Sequence, residues 1–143
     1  MVGIIVTGHG HFATGMTSAA ELIAGPQQDF VAVDFTSLSG TDQLGLDMTA
    51  AFDQLAGCDG VLVLCDLVGG SPFKTAAMLG IPRGNVRVVA GLNLGMLVET
   101  CMQRDGMTLD ELTEQAIETG KASVLEFTLD EPAEEEDDFS DGI

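Results

Sequence analysis

Residues 2–12 read VGIIVTGHGHF, a run of aliphatic side chains that ends abruptly at two glycines with a histidine between them. The run Val2–Thr7 predicts a buried strand, because strands covered on both faces of a parallel sheet are apolar throughout. Glycine has no Cβ, so a Gly8-His9-Gly10 turn can bring a ligand close to the backbone and the imidazole. Histidine can act as a neutral nucleophile or proton carrier near pH 7. The stretch therefore predicts a strand whose following turn presents His9.

Three further apolar runs predict buried strands at Phe30–Phe35, Gly60–Asp66 and Val86–Ala90. Between the strands, apolar residues recur at helical spacing, and glycine or a capping residue punctuates each pattern. Ser71 followed by Pro72 is typical of an N-cap with proline at the first helical position. The predicted helices cover Phe12–Ile23, Leu44–Leu55, a segment that opens at Ser71, Leu94–Gln103 and Thr108–Gly120.

Alternating strands and helices predict an α/β fold, a flavodoxin-like three-layer sandwich with a parallel sheet in the order 2-1-3-4. In that order strands 1 and 3 are neighbours whose following helices leave to opposite faces, and ligands bind at this switch point beyond the strand ends. His9 and Asp66 follow these two strands and are expected to face each other across one crevice. The alternating segment Ser123–Leu129 predicts an additional C-terminal edge strand.

Charge and composition exclude several classes of function. Five Lys and Arg oppose 23 Asp and Glu, and the net charge of -18 repels nucleic acid and anionic membranes. The absence of Trp and Tyr argues against stacking on bases or sugars. Cys58, Cys65 and Cys101 lie among apolar residues and lack the spacing of a metal site. This pattern predicts reduced thiols in the core. With no basic leader and no apolar run of about 18 residues, a cytoplasmic protein is expected.

The residues expected at the crevice suit the phosphorylation of a histidine. A carboxylate at Asp66 would accept the Nδ1 proton of His9, leave Nε2 as the nucleophile and stabilise the charge that develops on the ring. The turn before the third helix places the first amides of that helix, which have no acceptor within the helix, so that they point into the same crevice. The positive end of the helix dipole points there too. Gly10, Gly70 and Ser71 are therefore the candidate phosphate-binding residues. Such a transfer depends on positioning and charge stabilisation, so neither metal nor cofactor is predicted.

Plainer interpretations of the same residues stay open at this point. His9 could be a polar turn residue, Asp66 could cap the turn after its strand, and Ser71 could serve only as a helix N-cap. His9 and His11 form an H-x-H pair, but no companion Cys or His is spaced to complete a metal site. Two other functions also remain: a nucleotide- or flavin-binding module, and a hydrolase that uses His9 as a general base. The chain has neither a full dinucleotide-binding fingerprint nor a nucleophile elbow.

Three ordered motifs resemble the IIA component of the mannose family (mannose/fructose/sorbose) of sugar phosphotransferase systems. They are the Gly-His-Gly around His9, the segment Asp66–Phe73 (DLVGGSPF), and the segment Val89–Thr100 (VAGLNLGMLVET). The similarity extends over about residues 1–129, which we interpret as one IIA domain of this type. Thr7–Gly10 and the short acidic ending resemble the N-acetylgalactosamine/galactosamine branch. His11 departs from the residue usual in the family, which is often aromatic or small.

This resemblance implies a cytoplasmic phosphocarrier with His9 as the phosphorylated residue and Asp66 as its orienting partner. His9 would accept a phosphoryl group from phospho-HPr and pass it to a histidine of the IIB component, which serves the membrane components IIC and IID. The resemblance also implies a homodimer whose subunits exchange a C-terminal strand, matched here by Ser123–Leu129. Residues 130–143 are too acidic and too poor in apolar side chains to pack, and they predict a disordered tail.

Overall fold

The structure is a computed structural model that describes residues 1–129, so the predicted acidic tail at 130–143 lies outside the described residues. It contains four strands, five helices and one 3-10 turn within that part of the chain. The strands are β1 (Gly3–His9), β2 (Phe30–Phe35), β3 (Val61–Cys65) and β4 (Val86–Ala90). The helices are α1 (Phe12–Ala24), α2 (Gly40–Gln54), α3 (Ser71–Gly80), α4 (Leu94–Gln103) and α5 (Leu109–Ala122), and the 3-10 turn is Ile81–Arg83.

The four strands form one parallel sheet in the order β2-β1-β3-β4, which confirms the predicted fold. One face packs against α1, α4 and α5, and the other packs against α2 and α3. Because α1 follows β1 and α3 follows β3, the two helices leave the central strands to opposite faces, as expected at a switch point. Both faces of β1 and β3 are therefore buried, which explains why these strands are apolar without alternation.

The first strand extends further than its sequence predicts. The predicted strand ends at Thr7, whereas β1 runs to His9, because Gly8 and His9 pair in register with Asp34 and Phe35 of β2. The Gly-His-Gly sequence is thus a strand end, and only Gly10, with φ of +59°, has a turn conformation. His9 owes its direction to the sheet, which is more rigid than a free turn.

The C-terminal elements differ from their prediction in two ways. Gly120 was expected to end the last helix, but α5 continues to Ala122. A Cβ at Gly120 would lie 2.4 Å from Met96 Cε, so this glycine lets α4 and α5 pack closely and does not terminate the helix. Residues 124–129 then follow without joining the four-stranded sheet of the described chain. Since a strand exists only through bonds to a partner edge, the exchanged strand stays a prediction.

Candidate functional site

The carboxyl end of the sheet brings together the two residues on which the predicted chemistry depends. His9 is the last residue of β1, and Asp66 directly follows β3, the neighbouring strand. His9 Nδ1 lies 2.8 Å from Asp66 Oδ2, and the same oxygen accepts a hydrogen bond of 2.9 Å from the backbone N–H of His9. The imidazole is 45% exposed, whereas the carboxylate is only 12% exposed. One carboxylate oxygen therefore fixes both the main chain and the ring of His9.

Hydrogen bonds keep the Asp66 carboxyl ionised despite its partial burial. Burial raises its pKa, but the bonds from His9 N and His9 Nδ1, with a third of 2.7 Å from the Leu67 N–H to Oδ1, outweigh that effect. The net pKa of Asp66 is lowered from its ordinary value of 3.8. Because an ionised carboxylate can only accept, the proton of the neutral imidazole resides on Nδ1 and the lone pair on Nε2. Nε2 is therefore the ring nitrogen whose lone pair is not directed at Asp66.

Gly70 lies against the ring of His9 on the side of Cε1 and Nε2. A Cβ at this position would come 2.8 Å from Cε1 and 3.4 Å from Nε2 of His9, so any larger residue would displace the imidazole. Gly70 is also the N-cap of α3, with an ordinary φ of -73°, so its need for glycine comes from space and not from backbone conformation. The start of α3 consequently borders Nε2.

Ser71 is the first residue of α3, not its N-cap as the sequence predicts, and within residues 1–129 the N-cap Gly70 supplies no side-chain bond to this helix. The first main-chain bond of α3 runs from Lys74 N to Gly70 O, at 2.9 Å. The amide of Ser71 therefore has no acceptor within its helix and suits an anion. By contrast, Gly10 N donates to Phe35 O at 2.6 Å. The predicted phosphate-binding role of Gly10 stays a prediction that requires this bond to open.

Phe35 is a site residue that sequence reasoning missed. Its ring meets the imidazole of His9 edge-on, with centroids 5.9 Å apart and planes inclined by 65°. It is the last residue of β2 and pairs in register with His9. The only available signal was that it ends an apolar strand next to β1 in the predicted order. Phe35, Asp66 and Gly70 together border the His9 ring, and the side chain stays 45% exposed.

Asp34 was also missed, and it forms a second contact between a histidine and a carboxylate. His11 Nδ1 lies 3.1 Å from Asp34 Oδ2, which also accepts a bond of 2.7 Å from Thr14 Oγ1. Thr14 N donates to Asp34 Oδ1 at 3.0 Å, so Asp34, a residue of β2, caps the start of α1 from outside the helix. Burial raises the pKa of Asp34, but these bonds outweigh it and the net pKa is lowered.

Within the described part of the chain, each histidine faces a single carboxylate. Among residues 1–129, no three His, Cys, Asp or Glu side chains come together in a way that could hold a metal ion. Nor does any described helix have the length and apolar character to cross a membrane.

The sequence is similar to sugar phosphotransferase system (PTS) proteins. The family EIIA-man, described as PTS system fructose IIA component, matches residues 3–117. The chain is 36% identical over 124 residues to the mannose-specific EIIAB component of Escherichia coli K12, which covers 86% of this chain and 38% of that protein. It is 31% identical over 109 residues to the sorbose-specific EIIA component of Lacticaseibacillus casei, and the match covers 76% of this chain and 78% of that protein. The chain thus spans less than half the length of the E. coli protein.

Solved structures show the same likeness. The mannose/sorbose-specific IIA subunit from Enterococcus faecalis superposes with a TM-score of 0.83 at 30% identity, covering 92% of this chain and 98% of that one. The phosphotransferase system component EIIA from Streptococcus agalactiae superposes with a TM-score of 0.80 at 31% identity, covering 89% and 98%.

Proposed function

The chain belongs to the mannose family of PTS IIA components, and from this we propose that it is the cytoplasmic phosphocarrier of a sugar phosphotransferase system. It accepts a phosphoryl group from phospho-HPr on His9 and passes it to a IIB component, which couples sugar uptake by IIC and IID to phosphorylation. The single observation that carries this proposal is the His9–Asp66 pair, with its 2.8 Å contact and its half-exposed imidazole.

The transfer step follows from the geometry of this pair. The lone pair of His9 Nε2 attacks the phosphorus of the donor's phosphohistidine in line, an N–P bond forms, and the donor's N–P bond breaks with its electron pair returning to the donor ring. The proton on His9 Nδ1 stays in place, so the phosphorylated ring is cationic and the charge of Asp66 stabilises it. The Ser71 amide at the start of α3 binds the phosphoryl oxygens. In the transfer to IIB, a histidine of IIB attacks the phosphorus, and the N–P bond of His9 breaks with its electron pair returning to the His9 ring.

The surroundings of His9 suit a protein partner. Leu67 and Val68, in the loop between Asp66 and α3, are large apolar residues exposed to solvent. Such exposed apolar groups beside a functional residue are typical of protein contact surfaces. The partner's own histidine has to approach Nε2 within bonding distance, and the half-exposed ring of His9 permits this. HPr and IIB would therefore dock in turn on the same surface.

The proposal is tested by incubating the chain with enzyme I, HPr and labelled phosphoenolpyruvate. Two initial rates are measured: the rate at which the chain gains acid-labile, base-stable phosphate, and the rate at which it passes this phosphate to IIB. His9→Asn is the informative variant, because the asparagine amide can still donate to Asp66 and no buried acceptor loses its partner. Both rates should fall by at least about a hundred-fold. A His9→Asn protein that transfers phosphate to IIB at the wild-type rate contradicts the proposal.

The predicted homodimer belongs to the same proposal. Val124, Leu125 and Leu129 are exposed apolar side chains after α5, and pairing this segment with the sheet edge of a second copy would bury them. A chain ending at Ser123 keeps α5 intact and should sediment as a monomer, whereas the full chain sediments as a dimer. An unchanged dimer would exclude strand exchange as its main support.

The other two functions, a nucleotide- or flavin-binding module and a hydrolase, are not favoured by membership of this family. The N-acetylgalactosamine/galactosamine branch stays a prediction, and uptake assays in cells that carry the matching membrane components would test it.

A further inference from the structure

A second imidazole at the same end of the sheet is held in the way that His9 is held. In both pairs a carboxylate Oδ2 faces the ring's Nδ1, at 2.8 Å for His9 and 3.1 Å for His11. In both, a backbone N–H also binds the carboxylate: that of His9 binds Asp66, and that of Thr14 binds Asp34. His11 thus shares the contact between ring Nδ1 and carboxylate Oδ2 with His9, whereas the N–H that binds its acid comes from Thr14 and reaches Oδ1.

The acid of the second pair directs the reactive nitrogen outwards. Asp34 is only 17% exposed and is ionised at neutral pH, because the pKa of its carboxyl is lowered by the bonds from Thr14 and His11. An ionised carboxylate needs a proton on the facing Nδ1, so the lone pair of neutral His11 is on Nε2. The His11 side chain is 81% exposed. Its nucleophilic atom is therefore open to any molecule that docks at this edge.

The two pairs are neighbours but separate sites. Asp34 belongs to β2 and Asp66 follows β3, the two strands that flank β1, so each histidine bonds to an acid on a different side of that strand. His9 contacts Phe35 and Gly70, which His11 does not share. Only Gly10 separates the histidines in sequence, so both lie at the end of β1 on which the donor of His9 docks.

We propose that His11 is a second phosphoryl-accepting residue, and this inference rests on the proposed function because it uses the same donor. The lone pair of His11 Nε2 attacks the phosphorus of the donor's phosphohistidine, the new N–P bond forms, and the donor's N–P bond breaks with its electron pair returning to the donor ring. The proton on His11 Nδ1 stays, and the negative charge of Asp34 balances the cationic phosphorylated ring.

His11 is the slower acceptor of the two. A Cβ at Gly70, at the start of α3, would lie 2.8 Å from Cε1 and 3.4 Å from Nε2 of His9, and no atom of His11 lies as close. The loss of one well-placed hydrogen-bond donor typically lowers the rate of such a step by about 100- to 1,000-fold. Acceptance by His11 should therefore be slower than acceptance by His9 by a factor in this range.

The composition of the chain makes a decisive experiment possible. The sequence contains two histidines, so His9→Asn leaves His11 as its only one. The full-length His9→Asn protein is incubated for extended times with enzyme I, HPr and labelled phosphoenolpyruvate, and its acid-labile, base-stable phosphate is measured. Slow labelling that approaches one phosphate per chain is expected. The double variant His9→Asn/His11→Asn should gain none, and Asp34→Asn in the His9→Asn background should slow labelling by roughly tenfold or more.

Each outcome has a defined meaning. A folded His9→Asn protein that stays unlabelled while the wild type is labelled refutes the inference and leaves the proposed function intact; His11 would then only contact partners. Label that persists in the double variant also refutes it, since no histidine would carry the phosphate. If the wild type itself gains no phosphate, the proposed function fails, and the inference fails with it. Thermal unfolding of each variant establishes that the protein is folded.

Discussion

Replacing Asp66 by asparagine isolates the charge of the acid that holds His9. Asp66 accepts three hydrogen bonds, from His9 N, His9 Nδ1 and Leu67 N, at 2.9, 2.8 and 2.7 Å. An amide offers one acceptor oxygen where the carboxylate offers two. If its NH2 faces His9, Nδ1 must accept, and the imidazole proton moves to Nε2, where it blocks the nucleophile. If its oxygen faces His9, its NH2 faces the N–H of Leu67, and two hydrogen-bond donors meet without an acceptor. Either orientation disturbs the site.

The size of the effect follows from the same bonds. Phosphorylation makes the His9 ring cationic, and the neutral amide cannot balance that charge. A hydrogen bond to a charged group contributes about 1.5–3 kcal/mol, and the 45% exposure of His9 argues against a larger value. A loss of about 2–3 kcal/mol of transition-state stabilisation lowers the transfer rate roughly 30- to 150-fold. The loss should appear in the rate of the transfer step more than in donor binding.

Rapid-quench measurement of phosphate transfer from labelled phospho-HPr to Asp66→Asn provides the assay. The matched control is Asp105→Asn, which removes the same charge at an exposed position and should keep the wild-type rate. Imidazole nitrogen NMR gives a second readout, because the tautomer of His9 should shift from a proton on Nδ1 towards one on Nε2. A folded Asp66→Asn protein that transfers within threefold of the wild-type rate would falsify the orienting role.

Three further variants test the packing of the site and its surroundings. Gly70→Ala places a Cβ 2.8 Å from His9 Cε1 and should slow transfer about 10- to 100-fold, whereas Gly45→Ala, with open space around it, should keep the wild-type rate in the same assay. Arg104→Leu removes a buried guanidinium that donates to four oxygens at the amino end of the sheet. Urea titration should show that the free energy of unfolding is lower by about 3 kcal/mol. The rate of phosphate transfer should not change. Asp34 has a lowered pKa, so its stabilising effect is complete above its ordinary value of 3.8 and is lost as pH falls through the native pKa. Asp34→Asn should accordingly be less stable than wild type near pH 7, and unfolding near pH 3 should show a smaller difference.

Local sequence was sufficient where the interactions that form an element are themselves local. The strands at Phe30–Phe35 and Val86–Ala90 have their predicted ends, and the last helix begins where its sequence predicts, with a capping box between Thr108 and Glu111. Each capping-box partner lies three residues from the other, so its spacing is visible in the sequence. Glycine was less informative, because a packing glycine and a terminating glycine look alike; Gly120 permits contact with Met96 inside the helix.

The sequence by itself determined the order of strands and helices, the parallel sheet, and the expectation that His9 and Asp66 would meet at its carboxyl edge. Only the tertiary structure decided that β1 extends to His9, that Phe35 contacts its ring, that Gly70 borders its Nε2, and that Asp34 holds His11. The physical reason is that buried apolar side chains recur at the period of their strand or helix, so the sequence shows them directly. These contacts, by contrast, join residues that are distant in sequence. Their distances follow from strand register and helix packing, which no single segment encodes.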